Sequence, residues 1–470
     1  MPRRIEQVGV ALGTRCRSRS NHRTQLLETS DQTGLRRILD AEDGLAIVVG
    51  AVIGVGILRT PGLIAGYLGN PIPILLTWVF GGVVALLASL VFAELAAMYP
   101  RAGGKFFYAT EAFGPLAGFV TGWGEIIVTR GFSAASKAIV IGEYLILLTG
   151  QGEIRPWAAA TVGIFLTINL MGLQTGRWFQ NTVTTAKVGL ILLIVGAGFF
   201  GGGADTATPT STGEPVTGGL LGFALAYLAV SFTYYGWDDF LKMAGEVHEP
   251  GSTLPKVLIR GALAVAVLYL LVNLAFLSAL SPAEAAGSPL VAADVAAAAF
   301  GEVGRRIITV AALVILVSSL NVQFMGLPRV AYGLSRSGLA PRTFGQLSAG
   351  GTPIVGLLVV TAIIFLMAMT RSFERLIQYL AFVAISIDAM VLLAVFRLRF
   401  TRPGAERPFV VPGYPVLPAV TVALYATLFA IIAVEQTDLA IGGALLIALL
   451  ALVGRLWLFH RGNIAGTAAE

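Results

Sequence analysis

The chain has 470 residues, of which 56% are hydrophobic and only 12% are charged, and its formal net charge is +6. A soluble domain carries roughly twice that charged fraction on its solvated surface, so the composition indicates a membrane protein without a nucleic-acid partner. A single cysteine, Cys16, and three scattered histidines exclude a disulfide framework, a multi-cysteine metal site and a catalytic histidine cluster. We therefore expect no enzyme and no cofactor.

The first 42 residues differ in composition from the rest of the chain. They are polar and rich in arginine, and the apolar patch at 8–12 is too short for the core of a signal peptide. We predict that residues 1–42 form a disordered, basic cytoplasmic tail.

The remainder of the chain consists of apolar segments long enough to cross a bilayer, for which about 20 residues suffice. The pattern predicts twelve such spans, near 43–68, 72–98, 113–149, 156–173, 179–200, 217–245, 256–280, 304–335, 353–370, 375–398, 414–435 and 438–460. Between the seventh and eighth spans, the alanine-rich connection 281–303 is predicted to form a short helix at the surface.

The loops alternate in charge along the chain. One set carries most of the basic residues, including Arg101, Lys256, Arg336 and Arg399, whereas acidic residues dilute the arginines of the other set. Basic residues collect in cytoplasmic loops, so we predict a multi-pass protein of the plasma (inner) membrane with both termini in the cytoplasm.

Two spans contain residues that interrupt a helix. The first has Gly50, Gly54 and Gly56 at its centre, and the sixth has polar groups, a glycine and two acids at 231–239. A break at membrane depth persists only where it is buried in protein or lines a cavity. Glycines four apart also fit close helix packing, which is the alternative explanation of the first pattern. Interruptions in spans one and six indicate a transporter built from inverted repeats.

Three stretches carry a family resemblance, and they occur in order between residues 43 and 400. These stretches are GVGILRTPG at 54–62, ELAAMYPRAGG at 94–104, and YGW at 235–237 followed by EVHEP at 246–250 and LP at 254–255. Together they resemble the amino acid–polyamine–organocation superfamily, and most closely its L-type amino acid transporter branch.

The resemblance implies an all-helical fold of two five-helix inverted repeats that work by alternating access. The repeats would occupy 43–200 and 217–400, two additional helices 401–460 and a cytoplasmic tail 461–470. The implied substrate-binding residues are Gly54, Val55, Gly56 and Ile57 in the first break, with Phe232, Thr233, Tyr235 and Gly236 in the second.

The two breaks would hold opposite ends of a zwitterion. Backbone N–H groups of 54–56, at the start of a half-helix, would bind the substrate carboxylate. Backbone carbonyls of Phe232, Thr233 and Tyr235 would accept from the α-ammonium, and the Phe232 ring would act as a gate. The size of Tyr235 should narrow the pocket and favour small neutral side chains.

Lys187 lies about a third of the way into the fifth span, where a charge is costly and usually functional. In the family it resembles, a lysine at this position takes the place of a sodium ion. That implies contacts with first-helix carbonyls near Gly50 and with hydroxyls such as those of Ser318 and Ser319. The alternative is a side chain that extends to the inner surface. Transport is therefore expected to be sodium-independent.

Five further charged residues receive weaker assignments. Asp388, in the tenth span, is a candidate proton site or partner of a basic residue, and Arg59 is expected to pair with an acid near the outer vestibule. Glu94 is a candidate inner gate or loop anchor. Asp238 and Asp239 are expected to stabilise the start of the second half of the sixth helix rather than to bind substrate.

These features predict a sodium-independent exchanger or facilitator of small or neutral amino acids. The alternatives are a proton-coupled symporter of amino acids or polyamines and, outside transport, a membrane receptor or sensor. The expected partners are the amino-acid substrate and the lipid bilayer. A disulfide-linked accessory subunit is not expected, because the outer loop near 150–156 has no cysteine.

Overall fold

A computed structural model describes residues 37–171, 173–200, 219–288, 290–370 and 373–467. Most of the predicted basic tail, residues 1–36, and Cys16 within it lie outside these ranges. The regular elements of the described ranges are helices, and the strand-like feature among them is an isolated bridge between Leu39 and Val247. The expected all-helical fold is confirmed.

Sixteen α-helices follow one another along the described parts of the chain. They are α1 (Ala41–Val52), α2 (Val55–Leu68), α3 (Pro71–Met98), α4 (Lys105–Phe113), α5 (Pro115–Gly124), α6 (Arg130–Thr149), α7 (Ile154–Leu170), α8 (Leu173–Phe200), α9 (Gly219–Tyr234), α10 (Pro250–Ala279), α11 (Pro282–Ala286), α12 (Val291–Arg336), α13 (Ile354–Thr370), α14 (Phe373–Thr401), α15 (Val416–Glu435) and α16 (Thr437–Thr467). A π-helical turn (Glu125–Thr129) joins α5 to α6, and 3-10 helices occupy Trp237–Glu246 and Arg342–Gly345.

Many of these helices are suited to a lipid environment. Eight spans in the described ranges are long and apolar enough to cross a membrane, and the bent pair α1–α2 raises that number to nine. The apolar helices α7 and α13 are shorter, with 17 residues each. The helical chain is therefore a multi-pass membrane protein.

The interruption of the first span is visible in the backbone. Asp40 caps the N-terminus of α1, and its side chain accepts hydrogen bonds from the N–H groups of Glu42 and Asp43. Ile53 leaves the helical region with ψ 96°, Gly54 is extended, and α2 then continues at an angle of 40° to α1. The break lies where the sequence predicts it.

The connection 281–303 differs from the single surface helix that its composition predicts. It contains the short α11 and the first turns of α12, which bends at Gly301. Gly301 has φ 64°, a conformation that a residue with a Cβ adopts only with strain. The bend allows one continuous element to run from the surface into the eighth span.

The broken segments lie near the centre of the bundle. Helices α8, α10 and α12 pack against α1, while α9 packs against α2. In α12, 72% of the most apolar stretch is buried, compared with 17% in α16 at the periphery. The exposed face of α16 is itself apolar, as expected of a surface in contact with lipid. This last helix continues to Thr467, past the predicted end of the span near residue 460.

Candidate functional site

The carbonyl groups at the end of α1 receive hydrogen bonds from Lys187. The Lys187 ammonium, on α8, lies 2.8 Å from the Gly50 carbonyl oxygen and 2.6 Å from that of Ile53. The last carbonyls of a helix have no intrahelical donor and carry partial negative charge, so a cation is favourable there. The side chain is fully buried and does not extend to the surface.

Two neighbouring serines of α12 also face α1. The Ser319 hydroxyl donates to the Ala51 carbonyl at 3.0 Å. The Ser318 hydroxyl lies 3.5 Å from that of Thr184, which itself donates to the Ala46 carbonyl at 3.2 Å. The carbonyl end of the break is thus surrounded by side-chain donors from α8 and α12.

The start of α2 has a different environment. The first N–H groups of a helix have no intrahelical acceptor. Among the described residues, none accepts a hydrogen bond from the backbone N–H of Gly54, Gly56 or Ile57. The N–H groups of Gly54 and Gly56 are among those that the family resemblance assigns to a substrate carboxylate.

The second break lies at Tyr235 and Gly236, between α9 and the 3-10 helix that follows. Gly236 has φ 136°, and a methyl group on it would lie 3.1 Å from the Ala51 carbonyl carbon and 3.2 Å from the Val52 nitrogen. A glycine is required for both reasons, the unusual backbone angle and the close approach of α1. The two breaks therefore touch through their main chains.

Two backbone carbonyl groups of the second break already accept hydrogen bonds from the protein. The Phe232 carbonyl accepts from the Tyr235 N–H at 3.1 Å. The Tyr269 hydroxyl of α10 lies 2.8 Å from the Val52 carbonyl and 3.3 Å from the Thr233 carbonyl. Each carbonyl oxygen has a second lone pair, so both Phe232 and Thr233 retain accepting capacity.

Two polar residues that connect the breaks lack any assignment from the sequence. Tyr269 bridges the two breaks, and the Thr60 hydroxyl is 2.8 Å from both the Gly56 carbonyl and the Thr233 hydroxyl. Thr60 belongs to the 54–62 stretch that carries the family resemblance, so its polar side chain could have indicated a role at the site. Tyr269 is one aromatic residue within a long apolar helix, and its sequence position carries no comparable signal.

A cavity lies between the two breaks and α6. It is lined by Ala51, Val52, Gly54, Gly56, Ser133, Lys137, Phe232, Thr233 and Tyr235. Phe232 and Tyr235 separate it from a second cavity, to which Asp388 and Tyr425 also contribute. Phe232 therefore lies where a gate for the first cavity would be, and Tyr235 occupies space at its wall.

Beneath Tyr235 lies a buried network of charged side chains. The Lys105 ammonium is 2.6 Å from Asp388, 2.7 Å from Asp238 and 3.1 Å from the Tyr235 hydroxyl. The Arg130 guanidinium also binds Asp238 and stacks on the Tyr235 ring at 4.2 Å. Asp388 thus pairs with a basic residue, one of the two roles considered for it.

Asp238 and Asp239 lie in the first turn of the 3-10 helix, as expected of acids that stabilise a helix start, but neither caps it through a hydrogen bond. Gly236 occupies the capping position of the 3-10 helix, and no side chain of the described residues caps it. Asp239 instead pairs with Arg130 at 3.3 Å and with Lys242. Buried carboxylates need a charged partner more than a helix start needs a cap, because an unpaired charge in an apolar interior costs several kcal/mol.

Arg59 and Glu94 lie away from the cavity. Arg59 pairs with Glu143 of α6 at 3.2 Å, and both side chains are partly exposed. Glu94, at the end of α3, accepts from Arg399 at 2.6 and 2.9 Å and from the Val411 N–H at 2.8 Å. This geometry anchors the loop after α14 to α3.

Comparisons with known proteins identify the same family that the sequence motifs resemble. The amino acid permease family model matches residues 44–454. The chain is 27% identical to the serine/threonine exchanger SteT of Bacillus subtilis, with 84% of the chain and 90% of that protein aligned. It is 27% identical to the mouse b(0,+)-type amino acid transporter 1, covering 88% and 86%, and 28% identical to the mouse Asc-type amino acid transporter 1, covering 81% and 73%. The chain therefore belongs to the amino acid permease family, within the L-type transporter branch of the amino acid–polyamine–organocation superfamily.

Proposed function

We propose that the protein exchanges, or facilitates the passage of, small neutral amino acids across the plasma (inner) membrane without sodium. The main support for this proposal is that the Lys187 ammonium donates hydrogen bonds to the Gly50 and Ile53 carbonyls at the break of the first span. Backbone carbonyls at a discontinuous helix form the type of site that coordinates a coupling cation in transporters. A fixed side-chain cation there removes the need for a dissociable one.

The substrate would bind across the two breaks. Its carboxylate would accept from the N–H groups of 54–56, where the positive end of α2 adds to the attraction. Its ammonium would approach the Phe232, Thr233 and Tyr235 carbonyls. This arrangement suits a zwitterion because it supplies donors at one end and acceptors at the other.

The proposed architecture has twelve spans in two five-helix repeats, with two further helices. The eight long spans and the bent α1–α2 pair account for nine of them. The apolar helices α7 and α13, together with α9 and its 3-10 continuation, would supply the other three. Both termini would then lie on one side, which the positive-inside rule identifies as the cytoplasm.

The names of relatives support exchange as the mode of transport. A serine/threonine exchanger and b(0,+)- and Asc-type amino acid transporters are all similar to this chain along most of its length. We propose that this protein works without a disulfide-linked accessory subunit, since the loop near 150–156 has no cysteine.

Counterflow into proteoliposomes tests the proposal. Vesicles containing the purified protein and loaded with unlabelled serine should accumulate labelled serine faster than unloaded vesicles. Replacing all sodium by choline should leave this rate unchanged. A requirement for an imposed pH gradient would favour proton symport instead, and a lack of uptake and of thermal stabilisation with a panel of amino acids would contradict the proposal.

A further inference from the structure

Lys137 lies on α6 beside the cavity between the two breaks. It lines that cavity together with Ser133, one helical turn away. A methyl group on Gly54 would lie 3.8 Å from the Lys137 Cε, so the lysine is close to the first break. The residue is only 5% exposed. Its charge is therefore enclosed by protein at the wall of the proposed substrate site.

The Lys137 ammonium has no partner within the described ranges of the chain. It donates no hydrogen bond and forms no ion pair there. The other buried cations near the second break differ, since Lys105, Arg130 and Lys242 each contact carboxylates. An enclosed ammonium that lacks an acceptor is costly, and an incoming anion would relieve that cost.

The surrounding charges do not compensate Lys137. Of the charged groups that act on it most strongly, Asp239 is attractive whereas Arg130 and Lys242 are repulsive. Asp239 is already engaged by both of these cations. Lys187, which donates to the carbonyls of the first break, is repelled by Lys137 as well. The cavity wall beside α2 is therefore short of negative charge.

We propose that the Lys137 ammonium binds a carboxylate of the transported amino acid and excludes amino acids with a cationic side chain. The inference rests on the proposed function and adds a specificity-determining residue to it. The carboxylate has two sources that the experiment separates, the α-carboxylate next to the N–H groups of 54–56 and the side-chain carboxylate of an acidic amino acid, which would extend the proposed substrates beyond neutral ones. A hydrogen bond from an ammonium to a carboxylate is charge-assisted and stronger than one between neutral groups.

Exclusion of cations follows from the same geometry. A second ammonium in an enclosed, low-dielectric cavity is repelled by Lys137 far more than it would be in water. Specificity is a difference between affinities, and a fixed like charge lowers the affinity for the wrong substrate. Homoserine and 2,4-diaminobutyrate provide a matched pair of probes, because they differ by a hydroxyl in place of an ammonium.

The experiment compares the wild-type protein with Lys137→Met and Lys137→Arg in proteoliposomes and in ligand-dependent thermal stabilisation. Lys256→Met serves as control, because Lys256 is exposed and lines neither cavity. The probes are serine, serinamide, aspartate, asparagine, homoserine and 2,4-diaminobutyrate. In Lys137→Met, the concentration of the carboxylate ligand needed for half-maximal effect should rise about tenfold or more, the factor for one charge-assisted hydrogen bond.

The probes distinguish the two sources. If Lys137 binds the α-carboxylate, Lys137→Met should weaken the binding of serine and reduce the difference in affinity between serine and serinamide. If Lys137 binds a side-chain carboxylate, the variant should weaken the binding of aspartate and leave the binding of serine unchanged. In both cases Lys137→Arg should retain the preference, and Lys137→Met should admit 2,4-diaminobutyrate more readily relative to homoserine.

Equal responses of Lys137→Met and the wild-type protein to all six probes, with transport intact, would overturn the inference while leaving the proposed function in place. Failure of the wild-type protein to bind or move any amino acid would instead contradict the proposed function. If Lys137→Met does not fold, competition by homoserine and by 2,4-diaminobutyrate in the wild-type protein still tests whether cationic side chains are excluded. Equal competition by these two compounds would overturn the exclusion of cations.

Discussion

At the break in the first span, the carbonyl groups that end α1 and the N–H groups that begin α2 have different surroundings. Lys187 donates to two of the carbonyls, and Ser319 and Tyr269 donate to two more. The N–H groups have no acceptor among the described residues, and Lys137, whose Cε would lie 3.8 Å from a methyl group on Gly54, also lacks a partner there. The carbonyl end is satisfied by the protein itself, whereas the N–H end has donors in excess.

This difference indicates how a discontinuous helix can serve both stability and binding. A buried carbonyl without a donor costs free energy, so the carbonyl end is fixed by side chains from α8, α10 and α12. Donors left over at the N–H end attract an anion, and an anion that binds and leaves is what a transporter for a carboxylate requires. Four changes test the comparison, beginning with the largest expected effect.

Lys187→Met should reduce uptake to the level of empty vesicles. The change leaves the Gly50 and Ile53 carbonyls without a donor, at a cost of about 1–3 kcal/mol for each buried group. Radiolabelled uptake measures the loss, and size-exclusion chromatography in detergent checks that folded protein remains. Lys256→Met, which alters an exposed lysine, should transport normally. Normal uptake by folded Lys187→Met would show that the carbonyl end does not depend on this ammonium.

Gly56→Ala should abolish most ligand-dependent stabilisation by obstructing the N–H end. Its new methyl group would lie 2.8 Å from the Thr233 Cα, so the backbones of the two breaks would have to separate. Such overpacking typically costs about 1–3 kcal/mol. Gly163→Ala is the control, since a methyl group at Gly163 meets nothing within 4 Å. Thermal shifts with and without serine measure the effect, and equal shifts in both variants would argue against a ligand at this end.

Tyr269→Phe should weaken uptake several-fold without abolishing it. The lost hydroxyl joins the Val52 carbonyl of the first break to the Thr233 carbonyl of the second. A hydrogen bond of this kind contributes about 0.5–1.5 kcal/mol. Tyr227→Phe is a matched control, because Tyr227 is buried and its hydroxyl has no acceptor among the described residues. Initial rates over a range of serine concentrations measure both variants. Identical rates would show that this link between the breaks has no part in transport.

Arg59→Gln should have the smallest effect. Arg59 and Glu143 pair at 3.2 Å with side chains 27% and 31% exposed, and exposed pairs contribute about 0.2–1 kcal/mol. Uptake should fall slightly, Glu143→Gln should produce a similar change, and high salt should remove the difference from wild type. A large loss of uptake in either variant would extend the functional region beyond the break to this outer pair.

Several features of the fold and site are foreseeable from local sequence. The glycines at 50, 54 and 56 predict a break in the first span because they lower helix stability at membrane depth, and the backbone leaves the helix at Ile53 and Gly54. A lysine in an apolar span indicates a buried acceptor, and the resemblance to the family identifies the first-helix carbonyls as that acceptor. The helical class follows from composition and the length of the apolar runs.

Other features depend on residues far apart in the chain. The partners of Asp388 and Asp238 include Lys105, which lies 283 positions from Asp388, and no local pattern pairs them. The sequence therefore suggests helix capping for Asp238, whereas Lys105, the first residue of α4, lies 2.7 Å from it and provides a cation. Tyr269 and Lys137 are in the same category, because the assembly of several helices places Tyr269 between the two breaks and Lys137 at the wall of the cavity.

The sequence by itself determined that this is a helical membrane protein, where its first and sixth spans break and which family it belongs to, because these depend on hydropathy, glycine placement and short motifs. The tertiary structure decided which polar groups remain without a partner. A donor is satisfied or left over according to what the other helices bring within hydrogen-bond distance. That is why Lys187, whose donors are satisfied, and Lys137, which has no partner among the described residues, can be told apart only in the assembled bundle.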